Sequence, residues 1–148
     1  MPRFSFRLQS FLSVKEQLEE LRKNEYGAAI RKLEEEKEKL RILETEVEEN
    51  VRLFKISLTR AINPVDIKRY NNRIEFLKKM IIEQKKRIKK AEDFVEERRL
   101  ALIEAMKERK ALETVRARAY EEYLREESLR EQLVTDGIVS YKYAEKSD

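Results

Sequence analysis

A seven-residue repeat of apolar side chains is the feature that most constrains the fold of this chain. Steps of three and four residues from Ile67 to Leu112 visit fourteen positions, and eleven of them are apolar. They are Ile67, Tyr70, Ile74, Leu77, Ile81, Gln84, Ile88, Ala91, Val95, Arg98, Leu102, Ala105, Arg109 and Leu112. A repeat sustained over this many heptads is typical of a coiled coil. It predicts an all-α fold in which this helix packs against another helix.

An earlier amphipathic helix, from about residue 10 to residue 62, is the predicted packing partner. Charged residues make up 43% of the chain, and Gly and Pro occur twice each, which suits long exposed helices. The apolar positions of this helix recur mainly at steps of three and four. They are Phe11, Val14, Leu18, Leu21, Ala29 or Ile30, Leu33, Leu40, Leu43, Val47, Val51, Phe54, Leu58 and Ala61.

A short turn at about residues 62–65 separates the two predicted helices. Pro64 cannot continue the first helix, but it suits the first position of a second one, with Asn63 as its N-cap. A short connection makes the helices antiparallel neighbours, and a single kinked helix is the alternative. The second helix is predicted over about 64–134, with Gly137 as its stop and residues 135–148 as a tail. Together they form one antiparallel coiled-coil hairpin domain over residues 1–148.

Opposite charge blocks support the antiparallel arrangement. Segment 34–50 carries eight acidic and three basic residues, whereas segment 68–90 carries ten basic and two acidic residues. In a hairpin that turns near residue 63, residue i lies beside roughly residue 125 − i, so the two blocks become neighbours. The basic run 85–90 is therefore interpreted as a solvated face whose positive charge complements the acidic first helix. A nucleic-acid patch is the alternative.

The polar exceptions in the repeat and the unequal helix lengths give two further expectations. Arg98 and Arg109 are interpreted as register-setting core residues whose stems stay buried. Since no polar partner of matching size for Arg98 is evident, replacing it with Leu is expected to be neutral or stabilising. The longer second helix should overhang the first from about Val115, leaving an apolar side that a partner would bury. A frayed, solvated helix end is the alternative.

Catalysis is not expected from this composition. The chain contains no His, Cys or Trp, and its two glycines, at positions 27 and 137, cannot form a phosphate-binding loop. Two long helices also offer no pocket that would shift the pKa of paired carboxylates. We therefore predict no catalytic, cofactor or metal site. No apolar run is long enough to span a membrane and no signal peptide is recognisable, so a cytoplasmic location is expected.

Two segments resemble the FliJ family of flagellar export proteins. The run Phe4-Ser5-Phe6-Arg7-Leu8-Gln9-Ser10-Phe11-Leu12-Ser13-Val14-Lys15-Glu16 is similar to the Phe-x-Phe-Arg-Leu opening of that family. The second segment is Tyr120-Glu121-Glu122-Tyr123-Leu124-Arg125-Glu126-Glu127, followed by Glu131-Gln132-Leu133-Val134-Thr135-Asp136. Gly137 departs from the family pattern, in which an acidic residue is common there.

The resemblance implies a stalk in flagellar type III export. Such a protein would occupy the ring of the hexameric export ATPase FliI, reach the export gate protein FlhA and escort export chaperones. It would be cytoplasmic, associated peripherally with the cytoplasmic membrane through the export apparatus. Direct membrane insertion, nucleic acid and small-molecule ligands are not expected. The alternatives are the equivalent stalk of a virulence-type secretion system, a generic coiled-coil scaffold or tether, and a basic nucleic-acid-associated protein.

Partner surfaces are predicted at both ends of the hairpin. The end that carries the termini is rich in aromatic side chains beside arginines, a composition common in interface hot spots, and is assigned to the ATPase ring. Its residues are Phe4, Phe6, Arg7, Leu8, Phe11, Arg118, Tyr120, Tyr123, Leu124 and Arg125. The turn end is assigned to the export gate. Its residues are Tyr70, Arg73, Leu77 and Met80.

Overall fold

Two helices account for most of the chain in a computed structural model that describes residues 3–60 and 63–147. Helix α1 spans Gln9–Thr59 and helix α2 spans Pro64–Ser147, and no strand occurs among the described residues. The two helices pack against each other, so the predicted all-α hairpin is confirmed. The predicted end of the first helix, with Ala61, and the first residue of the turn at 62 lie outside the described residues.

The chain divides into two compact units, where the sequence predicts a single domain. The terminal unit comprises Met1–Glu20 with Glu104–Asp148, and the turn unit comprises Leu21–Ile103. Within the turn unit, contacts between residues 46 and 73, 36 and 84, and 25 and 98 show that α1 and α2 are antiparallel. Within the terminal unit, contacts between residues 9 and 116, 15 and 108, and 19 and 109 show the same direction.

Helix α2 begins with the cap that the sequence predicts. The side-chain oxygen of Asn63 accepts a hydrogen bond from the backbone N–H of Val65 at 3.0 Å. The Asn63 carbonyl accepts from the N–H of Asp66 at 3.0 Å, and Asp66 lies in the first turn of the helix. An Asn cap followed by Pro satisfies the otherwise unpaired donors of a helix start, and an acidic first turn favours its positive dipole end. These residues therefore fix where α2 begins.

The heptad repeat of α2 forms the core between the helices. All fourteen predicted positions from Ile67 to Leu112 are buried or half-buried. Leu77 has no exposed surface, and Ile74 and Ala105 are also buried. Full burial of one such aliphatic side chain contributes about 1.5–3 kcal/mol. The repeat was therefore sufficient to predict which side of α2 faces α1.

The apolar stripe of α1 was predicted less well. Ala29 is buried, as one of its predicted positions, but Phe11, Val14, Leu21 and Leu58 are exposed, and Leu12 is buried next to Phe11. Polar residues occupy other positions of the α1 face that meets α2, since Glu36 and Ser57 are buried. An apolar pattern cannot locate a face on which several positions are polar, so the predicted stripe departs from the real one near each end.

The three polar positions in the α2 repeat each face an acidic residue of α1. Gln84 Nε2 donates to Glu36 Oε2 at 2.5 Å and to the Glu36 carbonyl at 2.8 Å, both in a buried environment. Arg98 Nη1 donates to Glu25 Oε2 at 3.1 Å. Arg109 donates to both carboxylate oxygens of Glu19, at 2.5 and 3.2 Å. We call these three contacts the polar pairs.

Arg98 therefore has a partner that the sequence analysis missed. Besides the Glu25 carboxylate, its guanidinium lies 4.7 Å from the centre of the Phe94 ring, which permits a cation–π contact. The expectation that no polar group of matching size faces Arg98 is wrong. The Arg98 Nε atom is nevertheless buried without a hydrogen-bond partner among the described residues. Arg98 is thus bound to Glu25 through the Nη1 atom of its guanidinium.

The two charge blocks are neighbours, as expected, but they are not joined by many ion pairs. Arg73 Nη2 and Glu46 Oε2, 3.3 Å apart, form an ion pair between the blocks. Most other described ion pairs of the acidic block form within α1, as between Glu38 and Arg41 or Glu49 and Arg52. Each of these arginines lowers the pKa of its carboxyl partner through side-chain hydrogen bonds. Four of the eight acidic residues of the block thus pair with cations of their own helix: Glu34, Glu36, Glu38 and Glu49.

Gly137 does not end α2, contrary to prediction. The helix continues through Gly137 to Ser147, so the expected tail of residues 135–148 is helical as far as the structure describes it. A C-terminal glycine stop requires a left-handed backbone at that residue, whereas Gly137 keeps a helical conformation. Glycine disfavours a helix interior by only about 1 kcal/mol relative to Ala, which does not break a helix by itself.

Replacing Gly137 with Ala should strengthen the end of α2. No atom lies within 4 Å of the position that an added Cβ would occupy, so the gain is expected to be about 0.5–1 kcal/mol of local helix stability. Amide hydrogen exchange across residues 128–147 measures it. The reciprocal control is Ala144→Gly, at an exposed position of the same stretch, which should accelerate exchange. If neither substitution alters exchange, this stretch is not helical in solution.

Candidate partner-binding surfaces

An aromatic cluster in the terminal unit joins the N-terminal segment to α2. The Phe4 ring lies edge-on to Tyr120 with centroids 5.1 Å apart, and 5.5 Å from the Tyr123 ring. Tyr120 and Tyr123 stack at 6.3 Å, and the Arg116 guanidinium lies 5.5 Å from the centre of the Phe4 ring. Aromatic pairs of this kind contribute about 0.5–1.5 kcal/mol beyond the area they bury. The cluster thus unites Phe4, Tyr120 and Tyr123, three of the predicted ATPase-contact residues.

The residues before α1 continue along α2 without being helical. The Phe6 carbonyl accepts a hydrogen bond from the Gln9 N–H at 3.0 Å, and the Gln9 side chain accepts one from Arg116 Nε at 3.1 Å. Phe4, Phe6 and Leu8 are half-buried as a result. Helix α2 extends past the start of α1 from about Arg116, in line with the predicted overhang, but Phe4 covers its surface near Tyr123, so the expectation that no part of the chain covers this surface is wrong. It failed because the segment before residue 10 was not given a packing role.

The remaining predicted contacts of this surface are exposed. Phe11, Tyr120 and Leu124 each expose about half of their surface, and Val14, next to Phe11 on α1, is similarly exposed. The arginines in question, Arg7, Arg118 and Arg125, are exposed as well. Exposed aromatic and arginine side chains such as these are available for contact with another protein.

Beyond Glu127, the described part of α2 is exposed to solvent. Every described side chain from residue 128 to residue 146 is exposed. Large apolar side chains are frequent there: Leu129, Leu133, Val134, Ile138, Val139, Tyr141 and Tyr143. Leu133 is 70% exposed and Val134 is 62% exposed. We call residues 128–146 the exposed terminal helix.

Sequence reasoning missed most of the exposed terminal helix because it placed the helix end at 134. Val134, Ile138 and Tyr141 follow one another at helical spacing, and Val139 lies on another side of the same helix. This spacing was visible in the sequence and indicates a helix that continues past Gly137. A helix that is apolar on more than one side is normally enclosed by other protein.

The surface predicted in the turn unit is only partly available. Leu77 is fully buried between the helices, so its assignment to a partner contact is wrong. It was chosen for its position near the turn, although its heptad slot already placed it in the core. Arg73 forms an ion pair with Glu46, and its guanidinium lies 5.5 Å from the centre of the Phe76 ring. Tyr70 is half-buried and Met80 is 40% exposed, so these two remain candidates for contact.

The described residues of the two units do not enclose a pocket suited to chemistry. The cavities within each unit are open grooves, such as one of about 380 Å³ in the terminal unit lined by Gln9, Leu12 and Arg116. Among residues 3–60 and 63–147, no group of three acidic side chains is placed to hold a metal ion. Within the same residues, neither helix has a stretch that is long and apolar enough to cross a membrane. The features that remain are exposed aromatic, apolar and charged surfaces.

Antiparallel packing of two long helices with exposed apolar surfaces is the architecture of a coiled-coil protein. The family model described as flagellar FliJ protein matches residues 4–148. The chain belongs to the FliJ family, and it is therefore a component of flagellar type III protein export. Searches of curated proteins and of solved structures found no significant match.

Proposed function

We propose that this protein acts as a stalk in the ring of the flagellar export ATPase FliI and couples that ring to the export gate protein FlhA. In the same role it would escort export chaperones. Membership of the FliJ family supports the flagellar setting over a virulence-type secretion system or a generic tether. The observation that carries the stalk role is the exposed terminal helix.

The exposed terminal helix suits enclosure by a ring of protein. Its apolar side chains point in more than one direction, so a partner on a single side would leave some of them in water. A ring surrounds a helix on all sides and buries the whole set. Burial of apolar surface stabilises such a contact by roughly 25 cal/mol per Å² before the losses of association are subtracted.

Exposed residues of the terminal unit extend this contact surface. Phe11, Tyr120 and Leu124 would add aromatic and aliphatic contacts, and Arg118 and Arg125 lie nearby in sequence. The aromatic cluster of Phe4, Tyr120 and Tyr123 has a supporting role, since it holds the N-terminal segment on α2. In the turn unit, Tyr70 and Met80 are left as the proposed contacts with the export gate.

The test introduces charge into the exposed terminal helix. Val134→Asp combined with Ile138→Asp should abolish stimulation of the cognate purified export ATPase, because two carboxylates would have to be desolvated in the ring. The matched control is Asn71→Asp combined with Asn72→Asp, which adds the same charge at exposed polar positions of α2 in the turn unit, outside the exposed terminal helix. It should retain most of the stimulation. Circular dichroism checks that helix content is unchanged in both variants.

Full stimulation by the Val134→Asp, Ile138→Asp variant would contradict this assignment. Tyr70→Ala combined with Met80→Ala provides the second arm of the experiment. The proposal expects these substitutions to spare ATPase stimulation and to weaken binding to the export gate protein. Loss of stimulation in this variant alone would place the turn unit, not the terminal unit, in the ring.

A further inference from the structure

A strongly basic surface on α2 lies in the turn unit. Segment 68–90 contains ten basic and two acidic residues. Arg73, Lys86 and Lys89 form ion pairs with Glu46, Glu83 and Asp93. The other basic residues of the segment make no ion pair among the described residues and are exposed: Lys68, Arg69, Lys78, Lys79, Lys85, Arg87 and Lys90. Their charge is not used to hold the two helices together.

The neighbouring acidic block leaves this surface largely free. Carboxylates of α1 pair with cations of their own helix, as Glu34 does with Lys37 and Glu38 with Arg41. Glu36 forms its ion pairs with Lys32 and Lys39 of α1 and not with a cation of α2. Among the described residues, Arg73 alone of the basic block pairs with the acidic block. A surplus of positive charge remains on the outer side of α2.

Large apolar side chains are exposed on this outer side, as Ile82 is, or along one edge of it towards α1, as Phe76, Met80 and Phe94 are. Phe76 is 52% exposed and Ile82 is 56% exposed, and Phe94 and Met80 are exposed as well. Lys79, Ile82, Lys86 and Lys90 follow one another at steps of three and four, which places them together on the side turned away from α1. Lysine heads thus lie beside apolar side chains over about five turns of one helix. We call the surface from Phe76 to Phe94 the basic face.

We propose that the basic face binds the surface of an anionic lipid bilayer. A helix that lies in a membrane interface has lysines or arginines that meet acidic headgroups and apolar side chains that enter the acyl boundary. The basic face has both. The inference goes beyond the proposed stalk function, which places this protein at the membrane only through other components of the export apparatus. It needs no membrane-spanning segment.

A lipid surface accounts for more of the observed face than a nucleic acid does. Phosphate contacts of a nucleic acid would use the lysines and Arg87, but they give no role to the exposed aliphatic side chain of Ile82. A bilayer uses both sets. Phe76 and Phe94 lie beside Arg73 and Arg98, at 5.5 and 4.7 Å from the guanidinium groups, so the aromatic rings adjoin positive charge. This arrangement suits the boundary between headgroups and acyl chains.

The test is sedimentation of the full chain with vesicles that contain phosphatidylglycerol. Binding is expected to these vesicles and to be absent with pure phosphatidylcholine. Lys79→Glu, Lys86→Glu and Lys90→Glu together should weaken binding at least about 100-fold, since each cation near an anionic surface contributes about 1 kcal/mol. Phe76→Ser with Ile82→Ser should remove the part of the binding that survives high salt.

The matched control reverses three exposed lysines of α2 outside the basic face: Lys107→Glu, Lys110→Glu and Lys142→Glu. Equal loss of vesicle binding in the control would overturn the proposal, because net charge alone would then explain it. Duplex DNA of random sequence is the competing probe at the same salt concentration. Binding to DNA that is lost with the basic face, without any binding to vesicles, would assign the face to nucleic acid and also overturn the proposal.

Discussion

Replacing Leu77 with Ala should lower the free energy of unfolding by about 2–5 kcal/mol. Leu77 has no exposed surface and lies in the core between α1 and α2 of the turn unit. Two helices offer few other side chains to fill the resulting cavity, so little relaxation is expected. In a chain of this size, the loss corresponds to a fall of about 4–20 °C in melting temperature. Thermal unfolding followed by circular dichroism measures it.

Ile82→Ala is the matched control for this prediction. It removes an aliphatic side chain five residues further along the same helix, at a position that is 56% exposed. A surface substitution of this kind should change stability by no more than about 0.5 kcal/mol. Similar melting temperatures for the two variants would show that Leu77 is not in the core, and would restore it as a candidate for contact with the export gate.

Acid should destabilise the turn unit through Glu36. The hydrogen bond from Gln84, followed by that from Lys32, lowers the pKa of the Glu36 carboxyl from 4.5 to about 2. Because the folded state favours the ionised carboxylate, its stabilising contribution is complete above pH 4.5 and is lost as the pH falls towards about 2. Glu36→Gln should therefore lower the melting temperature at neutral pH. The difference from the unaltered chain should disappear at low pH.

Glu35→Gln removes the same charge from an exposed position next to Glu36 and provides the control. Its melting temperature should stay close to that of the unaltered chain across the acid range. A constant difference between Glu36→Gln and the unaltered chain from neutral pH to about pH 2 would contradict the assigned titration. It would show that Glu36 stabilises the core by packing alone.

The sequence predicted α2 better than α1 because of how their core positions are composed. Along α2, eleven of fourteen heptad positions are apolar, and the period alone shows which side is buried. On α1 the corresponding side includes Glu36 and Ser57, which are buried although they are polar. A hydrophobic pattern treats such residues as solvent-facing, and it therefore selected Phe11 and Leu58 in place of buried neighbours.

The polar pairs show what periodicity cannot supply. Arg98 and Arg109 were recognised as exceptions in a core repeat, but their partners lie 73 and 90 residues away in the chain. Finding Glu25 and Glu19 requires the exact pairing of the helices, and the predicted pairing was accurate only to within several residues. The hydrogen bonds that Arg109 donates to Glu19, and then to Glu113, raise the pKa of its guanidinium, so this arginine stays charged in the core.

The sequence identified several residues of the candidate site but did not predict how they pack together. The sequence identified Phe4, Tyr120 and Tyr123 as members of one surface, and the structure brings their rings together. It did not show that these rings pack on each other, because the conformation of the segment before α1 follows no periodic pattern. The largest omission was the exposed terminal helix, since a single glycine was given more weight than the helical spacing on both of its sides.

The polar pairs of the turn unit also bear on mechanical load. An apolar core repeats every heptad, so one helix could slide by seven residues and find similar contacts at a low barrier. Gln84 and Arg98 are 14 residues apart on α2, whereas their partners Glu36 and Glu25 are 11 apart on α1. Such a slide would separate Glu36 from the amide of Gln84. It would also separate Arg98 from Glu25. Force applied along α2 should therefore be transmitted to α1 without slippage until both contacts break.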